Sequence, residues 1–303
     1  VPIYQHDCHN QDELAYVGRT SRGVETYINK RLHDADRMIL TGGIVYHFMA
    51  GYGGGRKSIM PGISGFKTIQ GNHLFCMNKE VGKGLNPHCQ SGALDDNEMN
   101  LDMCEMAELA KPDFLLNAVF TPEGKFAKFF AGHWYKAWET GTKLVKEIYG
   151  VPIKARADLV IASSGGFPKD INLYQGSKTI DNAYMACKPG GVIICIMECR
   201  DIYEPREFSD WFRHKDMLDF EKAIRNHFTI PGFVAYKSAD IARKHPLIVV
   251  TLPENVDFVN STGMIAVTSL DEAYALAKAK LGRQDFTITV MPGAANTVPI
   301  LQN

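Results

Sequence analysis

The sequence carries no excess charge of either sign. Thirty-three Lys and Arg stand against 34 Asp and Glu, for a formal net charge of −1. No global basic field exists to hold a polyanion, so nucleic acid is not expected as a partner. Long hydrophobic runs are missing too. The apolar stretches at 192–197 and 247–252 are short, far from the roughly 20 residues that span a bilayer, so no membrane partner is expected. There is no recognisable secretory signal, no internal repeat and no low-complexity tract. The seven cysteines are an odd number and scattered. Cys195 and Cys199 lie in or beside an apolar, strand-like run. That usage points to reduced thiols packed in a core and to a cytoplasmic protein.

What is present is ordinary globular composition, 45% hydrophobic and 22% charged over 303 residues. The length suits two domains of about 150 residues each and a core that needs no disulfide staples. The chain opens on Val1 rather than Met and enters folded-looking sequence at once, which leads us to expect a truncated N-terminal domain.

The pattern predicts an α/β protein. In the first half, a helix is expected over 24–32 and a buried strand over 38–41 that ends at Gly42-Gly43. A long loop-rich stretch from Tyr46 to about Asn100 follows, of a length that compact domains keep for function. A helix is expected over 101–109, then a strand over Phe114–Phe120 with a Thr121-Pro122-Glu123-Gly124 turn. Trp134, Trp138, Val145, Ile148 and Tyr149 repeat at helical spacing. Gly150 stops that helix, and Val151-Pro152 reads as a boundary between domains 1–150 and 151–303. The second half alternates strands (159–163, 192–197, 247–252, 286–291) with helices, including one over 173–187 and a periodic stretch from Phe208 to Ile224. Lys188-Pro189-Gly190-Gly191 is read as a turn, and Ser269 with Glu272 as a capping box before a helix that Gly282 ends. Alternation of this kind predicts a Rossmann-like parallel sheet flanked by helices, with its last strand at 286–291.

Three motifs carry chemistry. The densest runs from His47 through Gly51, Gly53, Gly54 and Gly55 to Arg56, Lys57 and Ser58. So many glycines are costly to order and make sense where backbone approaches a ligand closely. A P-loop needs a glycine where Arg56 stands, so that reading fails on spacing and a generic anion-binding loop remains. A solvated glycine-rich turn is the plain alternative. His47 precedes the loop and His73 follows it in Gly71-Asn72-His73. Imidazole suits acid/base work near neutral pH and ligation of nickel, copper or zinc. His88 is a weaker candidate, and Asp7-Cys8-His9 lacks a second pair of ligands. The third motif, Ser164 to Lys178, leaves the carboxyl end of a predicted parallel strand and enters a helix. Ligands of open α/β sheets bind there. Gln175 and Lys178, three apart, share a helix face suited to a carboxylate. An exposed surface pair is the alternative.

Together these motifs resemble the nickel-pincer lactate racemase family over nearly the whole chain. The resemblance rests on His47 to Lys57 with its ten-residue separation, on Pro61-Gly62-Ile63, on Asn72-His73, and on Gly165 to Lys178. It implies a nickel-pincer nucleotide, a pyridinium-3-thioamide-5-thiocarboxylate mononucleotide carrying nickel. Lys57 would hold it covalently within a binding loop of Gly53, Gly54, Gly55 and Arg56, His73 would ligate nickel, and His47 would be the catalytic acid/base. Gln175 and Lys178 would contact the substrate, a small 2-hydroxy acid, and the second domain would complete an interdomain active site. Hydride transfer suits such a substrate, because its carbon–hydrogen bond beside a carboxylate is poorly acidic. The keto acid formed is planar, and hydride returned to its other face inverts the centre. The second histidine and an Asp-x-x-Arg segment of the family, both expected upstream, are not found before His47. Tyr46 stands where a proline is common and Gly53 or its neighbour where a serine is usual, which leaves the substrate side chain open. Two rival readings are a methyltransferase-like domain, on Lys188 to Gly191, and a cofactor-binding homologue that no longer turns over.

Overall fold

The computed structural model describes residues 2–302. Two compact units make up the chain, residues 1–148 and 149–303.

The first unit opens with an antiparallel hairpin of β1 (Leu14–Arg19) and β2 (Glu25–Asn29), then the one-turn α1 (Lys30–His33). The helix expected over 24–32 is therefore corrected. Thr26 and Ile28 are fully buried while Glu25 is exposed, a period of two that β-branched residues satisfy in a strand. β3 (Ile39–Gly43) follows, then the two-residue strands β4 (Tyr46–His47) and β5 (Gly51–Tyr52), which pair with each other. The expected loop-rich stretch also holds α2 (Phe66–His73). The helix α3 (Glu98–Ala110) starts where the Asn97 side chain accepts the Asn100 N–H and stops at left-handed Lys111. β6 (Phe114–Phe120) and β7 (Phe126–Gly132) form a hairpin across the expected turn, where Gly124 takes a φ of +80°. β3 joins β6 in parallel, so β6 is the centre of a three-stranded sheet. The amphipathic α4 (Trp134–Tyr149) buries Trp134, Trp138, Gly141, Thr142 and Val145 as one stripe.

The second unit runs β8 (Gly150–Ile153), β9 (Ala157–Ser163), α5 (Leu173–Ala186), β10 (Cys187–Ile196), α6 (Arg206–Ser209), α7 (Met217–Asn226) and α8 (Ile230–Lys244). It continues with β11 (Leu247–Val250), α9 (Val256–Ser261), β12 (Ile265–Val267), α10 (Leu270–Leu281), β13 (Ile288–Met291) and β14 (Val298–Leu301). Five strands form one parallel sheet in the order β12-β11-β10-β9-β13. Adjacent residues Leu159 and Val160, and Ile193 and Ile194, are all fully buried. Both faces of the central strands are thus covered, as parallel sheets require. On one face Ala273 and Ala277 of α10 pack on Leu159, Val192, Ile194, Ile248 and Val267. Each large side chain buried this way contributes about 1.5–3 kcal/mol.

Three expectations need correction here. Lys188 to Gly191 is absorbed into β10 as a register shift between Cys187 and Val192 rather than standing as a separate turn. The periodic stretch from Phe208 is broken into α6, a 3-10 turn at Asp210–Arg213, and α7. The strand at 286–291 is not the last, because β14 follows and pairs with β8.

Candidate active site

The site in the first unit grows from the tight turn between β4 and β5. His47 ends β4, and its Nδ1 accepts the backbone N–H groups of Met49 (3.2 Å) and Ala50 (3.1 Å). The ring is thereby fixed to its own turn. Gly51 sits at φ +75°, and a Cβ there would lie 2.1 Å from the Ala93 carbonyl oxygen. No other residue fits that position without moving the chain. Tyr46, across the ladder, stacks on Tyr52 with ring centres 4.9 Å apart.

The glycine loop is held from beneath. The Gly55 N–H donates to Oδ1 of Asn117, a fully buried asparagine on β6, at 2.8 Å. Gly53 accepts from Trp138 Nε1 at 2.8 Å. A Cβ on Gly54 would meet Asn117 Oδ1 at 2.7 Å, and one on Gly55 would meet Trp138 at 2.5 Å. Packing against the first unit's own core thus accounts for Gly54 and Gly55.

Arg56 is 0% exposed. Its guanidinium donates to the carbonyls of Ala50 (2.7 Å) and Tyr52 (2.8 Å) and to Asn100 Oδ1 (2.9 Å). It lies 4.0 Å from the centre of the Trp138 ring, a cation–π contact. Burial lowers its pKa to about 10, so it remains charged at neutral pH. Its donors are spent closing the 50–56 loop.

Closing that loop delivers Lys57 to His47. Lys57 Nζ lies 3.1 Å from His47 Nε2. Burial first, and then the Arg56 charge, lower the lysine pKa to about 8. The ammonium still predominates near pH 7, with a larger minority of free amine than an ordinary lysine has. His73 ends α2 at 1% exposure. Its Nδ1 lies 2.9 Å from the Ile69 carbonyl oxygen, so in the neutral ring that nitrogen carries the hydrogen and the lone pair stays on Nε2. Burial, with the Lys57 charge second, lowers its pKa to about 4, and the ring is neutral at pH 7. Neighbouring Asn72, fully buried, donates to the Met99 carbonyl (3.1 Å) and to Asp102 Oδ2 (2.9 Å) and so pins α2 to α3.

In the second unit, the Asn172 side chain accepts the Gln175 N–H and starts α5. Lys178 Nζ donates to Gln175 Oε1 at 2.8 Å. Desolvation lowers the Lys178 pKa from the ordinary lysine range.

The structure therefore brings His47 and Lys57 into contact and puts His73 within reach of the Lys57 charge. It pairs Gln175 with Lys178 separately. Asn117, Trp138 and Asn100, which build the loop, were not singled out from the sequence. The one available signal was a lone asparagine inside the apolar run of β6. Among the described residues, no three His, Cys, Asp or Glu side chains gather as a metal site, and no helix is long and apolar enough to cross a membrane.

The site thus sets a histidine against an amine of lowered pKa on an α/β framework. Two family models match: the lactate racemase N-terminal domain over residues 1–84 and the lactate racemase C-terminal domain over 153–298. The chain is 36% identical over 298 residues to a lactate racemase of Thermoanaerobacterium thermosaccharolyticum, covering 97% of this chain and 68% of that protein. It is 32% identical over 310 residues to a lactate racemase of Lactiplantibacillus plantarum, covering 98% and 69%. The solved structure of the T. thermosaccharolyticum lactate racemase apoprotein superposes with a TM-score of 0.87 at 35% identity, over 98% of this chain and 70% of that one. A Thermotoga maritima protein shares the fold at a TM-score of 0.65 and 16% identity, over 99% and 78%. The chain belongs to the lactate racemase family and is an isomerase of the racemase class.

Proposed function

We propose that the protein racemises or epimerises a lactate-like 2-hydroxy acid with the help of a nickel-pincer nucleotide. The observation that carries this reading is the trio of His47, Lys57 and His73, one imidazole touching the amine and the other sensing its charge.

The donor chemistry fits the cofactor. A neutral imidazole whose Nδ1–H is held by a backbone carbonyl presents Nε2 as a ligand, the usual arrangement of a metal-binding histidine. A single protein imidazole is too few donors for a metal on its own, and a nucleotide bringing its own donors supplies the rest. Lys57, with its pKa lowered to about 8, is an amine able to form a covalent bond. His73 would hold the nickel and Lys57 the heterocycle. The loop of Gly53, Gly54, Gly55 and Arg56 would shape the cofactor's seat, with Arg56 acting by holding the loop rather than by touching a phosphate. When bound, the cofactor supplies a hydride acceptor, which spares the reaction a carbanion beside a carboxylate.

The chain's own residues do the remainder. His47 moves the hydroxyl proton at Nε2. Gln175 and Lys178 hold the substrate carboxylate, and the pKa-lowering desolvation of Lys178 strengthens such a charge-assisted contact. Residues 1–150 bind the cofactor and 151–303 serve the substrate. Seven free cysteines support a cytoplasmic setting.

The test pairs metal analysis with intact mass and isotope tracing. Nickel together with an adduct on Lys57, and retention of deuterium when an enantiopure C2-deuterated 2-hydroxy acid is inverted, are the expected results. Deuterium lost to water sinks the hydride route. Nickel and adduct without turnover favour a binding homologue.

A further inference from the structure

Asn72 on α2 and Asp102 on α3 meet where the two helices pack, and both are 0% exposed. The Asn72 Nδ2 group spends its hydrogens on the Met99 carbonyl (3.1 Å) and on Asp102 Oδ2 (2.9 Å). The remaining oxygen of each side chain, Asn72 Oδ1 and Asp102 Oδ1, is buried and has no hydrogen-bond partner among the described residues. Buried acceptors left bare are costly and rare. No Lys, Arg or His among the described residues forms an ion pair with Asp102, and the basic group that acts on it, Arg22, is paired with Glu105. Glu105 adds a second negative charge. The Thr20 hydroxyl, which accepts the Val24 N–H, also faces the carboxyl. Burial outweighs the help of Asn72, Thr20 and Arg22, and pushes the Asp102 carboxyl above the ordinary carboxylate range.

One hydrogen satisfies both bare oxygens. A carboxylic acid and a primary amide complement each other in two bonds, amide N–H to the acid carbonyl and acid O–H to the amide oxygen. The first of these is present at 2.9 Å. We propose that Asp102 is kept as the neutral acid and acts as a positioning residue, its Oδ1–H donating to Asn72 Oδ1 and closing a two-bond ring between α3 and the end of α2. An ionised Asp102 has no hydrogen to give and leaves both acceptors bare.

The ring bears on His73, the next residue along α2. His73 Nδ1 lies 2.9 Å from the Ile69 carbonyl oxygen of the same helix, so the imidazole follows α2. The direction of Nε2 is therefore set by how the end of α2 seats on α3, which is the seat that the ring fixes. That His73 meets nickel rests on the cofactor reading above. The ring itself rests on the hydrogen-bond count.

Infrared spectra of the chain at about pH 7.5 test the ring without any cofactor. Ordinary carboxyls, with pKa values of about 4, are ionised there and leave the carboxylic-acid C=O region nearly clear. A band in that region is expected in the parent, shifted in heavy water and lost in Asp102→Asn. A parent without it overturns the proposal in favour of an ionised Asp102 with water between the two oxygens. Urea denaturation gives a second reading. The amide of Asp102→Asn can donate where the acid did, so its folding constant at about pH 7.5 is expected to equal or exceed the parent's, while Asp102→Ala lowers it about tenfold or more. The advantage of Asp102→Asn over the parent should grow above about pH 5, by up to about tenfold per pH unit, because the folded parent keeps a proton that the unfolded chain gives up. Glu105 and Arg22 are common to both proteins. A difference that ignores pH, or Asp102→Asn as unstable as Asp102→Ala, overturns the ring. Nickel content of the loaded protein is expected to fall further in Asp102→Ala than in Asp102→Asn, and equal content in all three overturns the positioning role. A parent with the infrared band and no nickel removes the cofactor reading and leaves the ring.

Discussion

The guanidinium of Arg56 lies 4.0 Å from the centre of the Trp138 ring, and both side chains are fully buried. The rest of Arg56 is bound by oxygens of its own loop and by Asn100. That side chain, together with Asn117 and Trp138 beneath the loop, fixes the path from His47 to Lys57.

Replacing Arg56 by methionine leaves the Ala50 and Tyr52 carbonyls without their donor. Hydrogen bonds from a charged group are worth about 1.5–3 kcal/mol each. The loss expected is about 3–5 kcal/mol of unfolding free energy, read from urea denaturation. Arg56→Lys recovers only part of it, because an ammonium lacks the planar fork. A near-neutral Arg56→Met would show that the loop is held elsewhere.

His73 gives the first unit a signature on acidification. Its folded pKa of about 4 lies below the 6.5 of an ordinary histidine. Between those values the unfolded chain binds the extra proton, so stability rises with pH there and falls as pH drops from 6.5 towards 4. The full effect is about 3 kcal/mol. His73→Gln is expected to flatten that slope when denaturation midpoints are compared at pH 7 and pH 4.5. Nickel content of the loaded protein should fall in the same variant.

Lys178 and Gln175 are paired on one turn of α5, where removing the ammonium disturbs little packing. Lys178→Met is expected to raise KM for the 2-hydroxy acid about tenfold or more, the loss of one charge-assisted contact. The melting temperature should stay near that of the parent. Unchanged KM would detach this pair from the substrate.

Helices with one apolar stripe were readable from sequence. Trp134, Trp138 and Val145 announce α4 by their spacing, and Ser269 caps α10 by accepting the Glu272 N–H. The buried helix α8 was not readable. Phe233, Val234, Ala235, Tyr236, Ser238 and Ala239 are buried almost without interruption, so no polar face marks a period, and Pro231 with Gly232 looks like a break. β2 was misread because its β-branched residues sit next to a genuine one-turn helix. At the site, the residue types were legible and their employment was not. Arg56 beside three glycines reads as a phosphate ligand, and only the folded chain reveals that main-chain oxygens consume it.

Arg56 has a further consequence for the chemistry around it. Its hydrogen-bond partners include three neutral oxygens, and its own pKa of about 10 keeps it ionised throughout the physiological range. It behaves as a permanent electrode set into the floor, repelling protons from the neighbouring lysine whatever the surrounding buffer. Together with burial, the larger effect, it weakens the lysine's hold on its proton as soon as the chain folds.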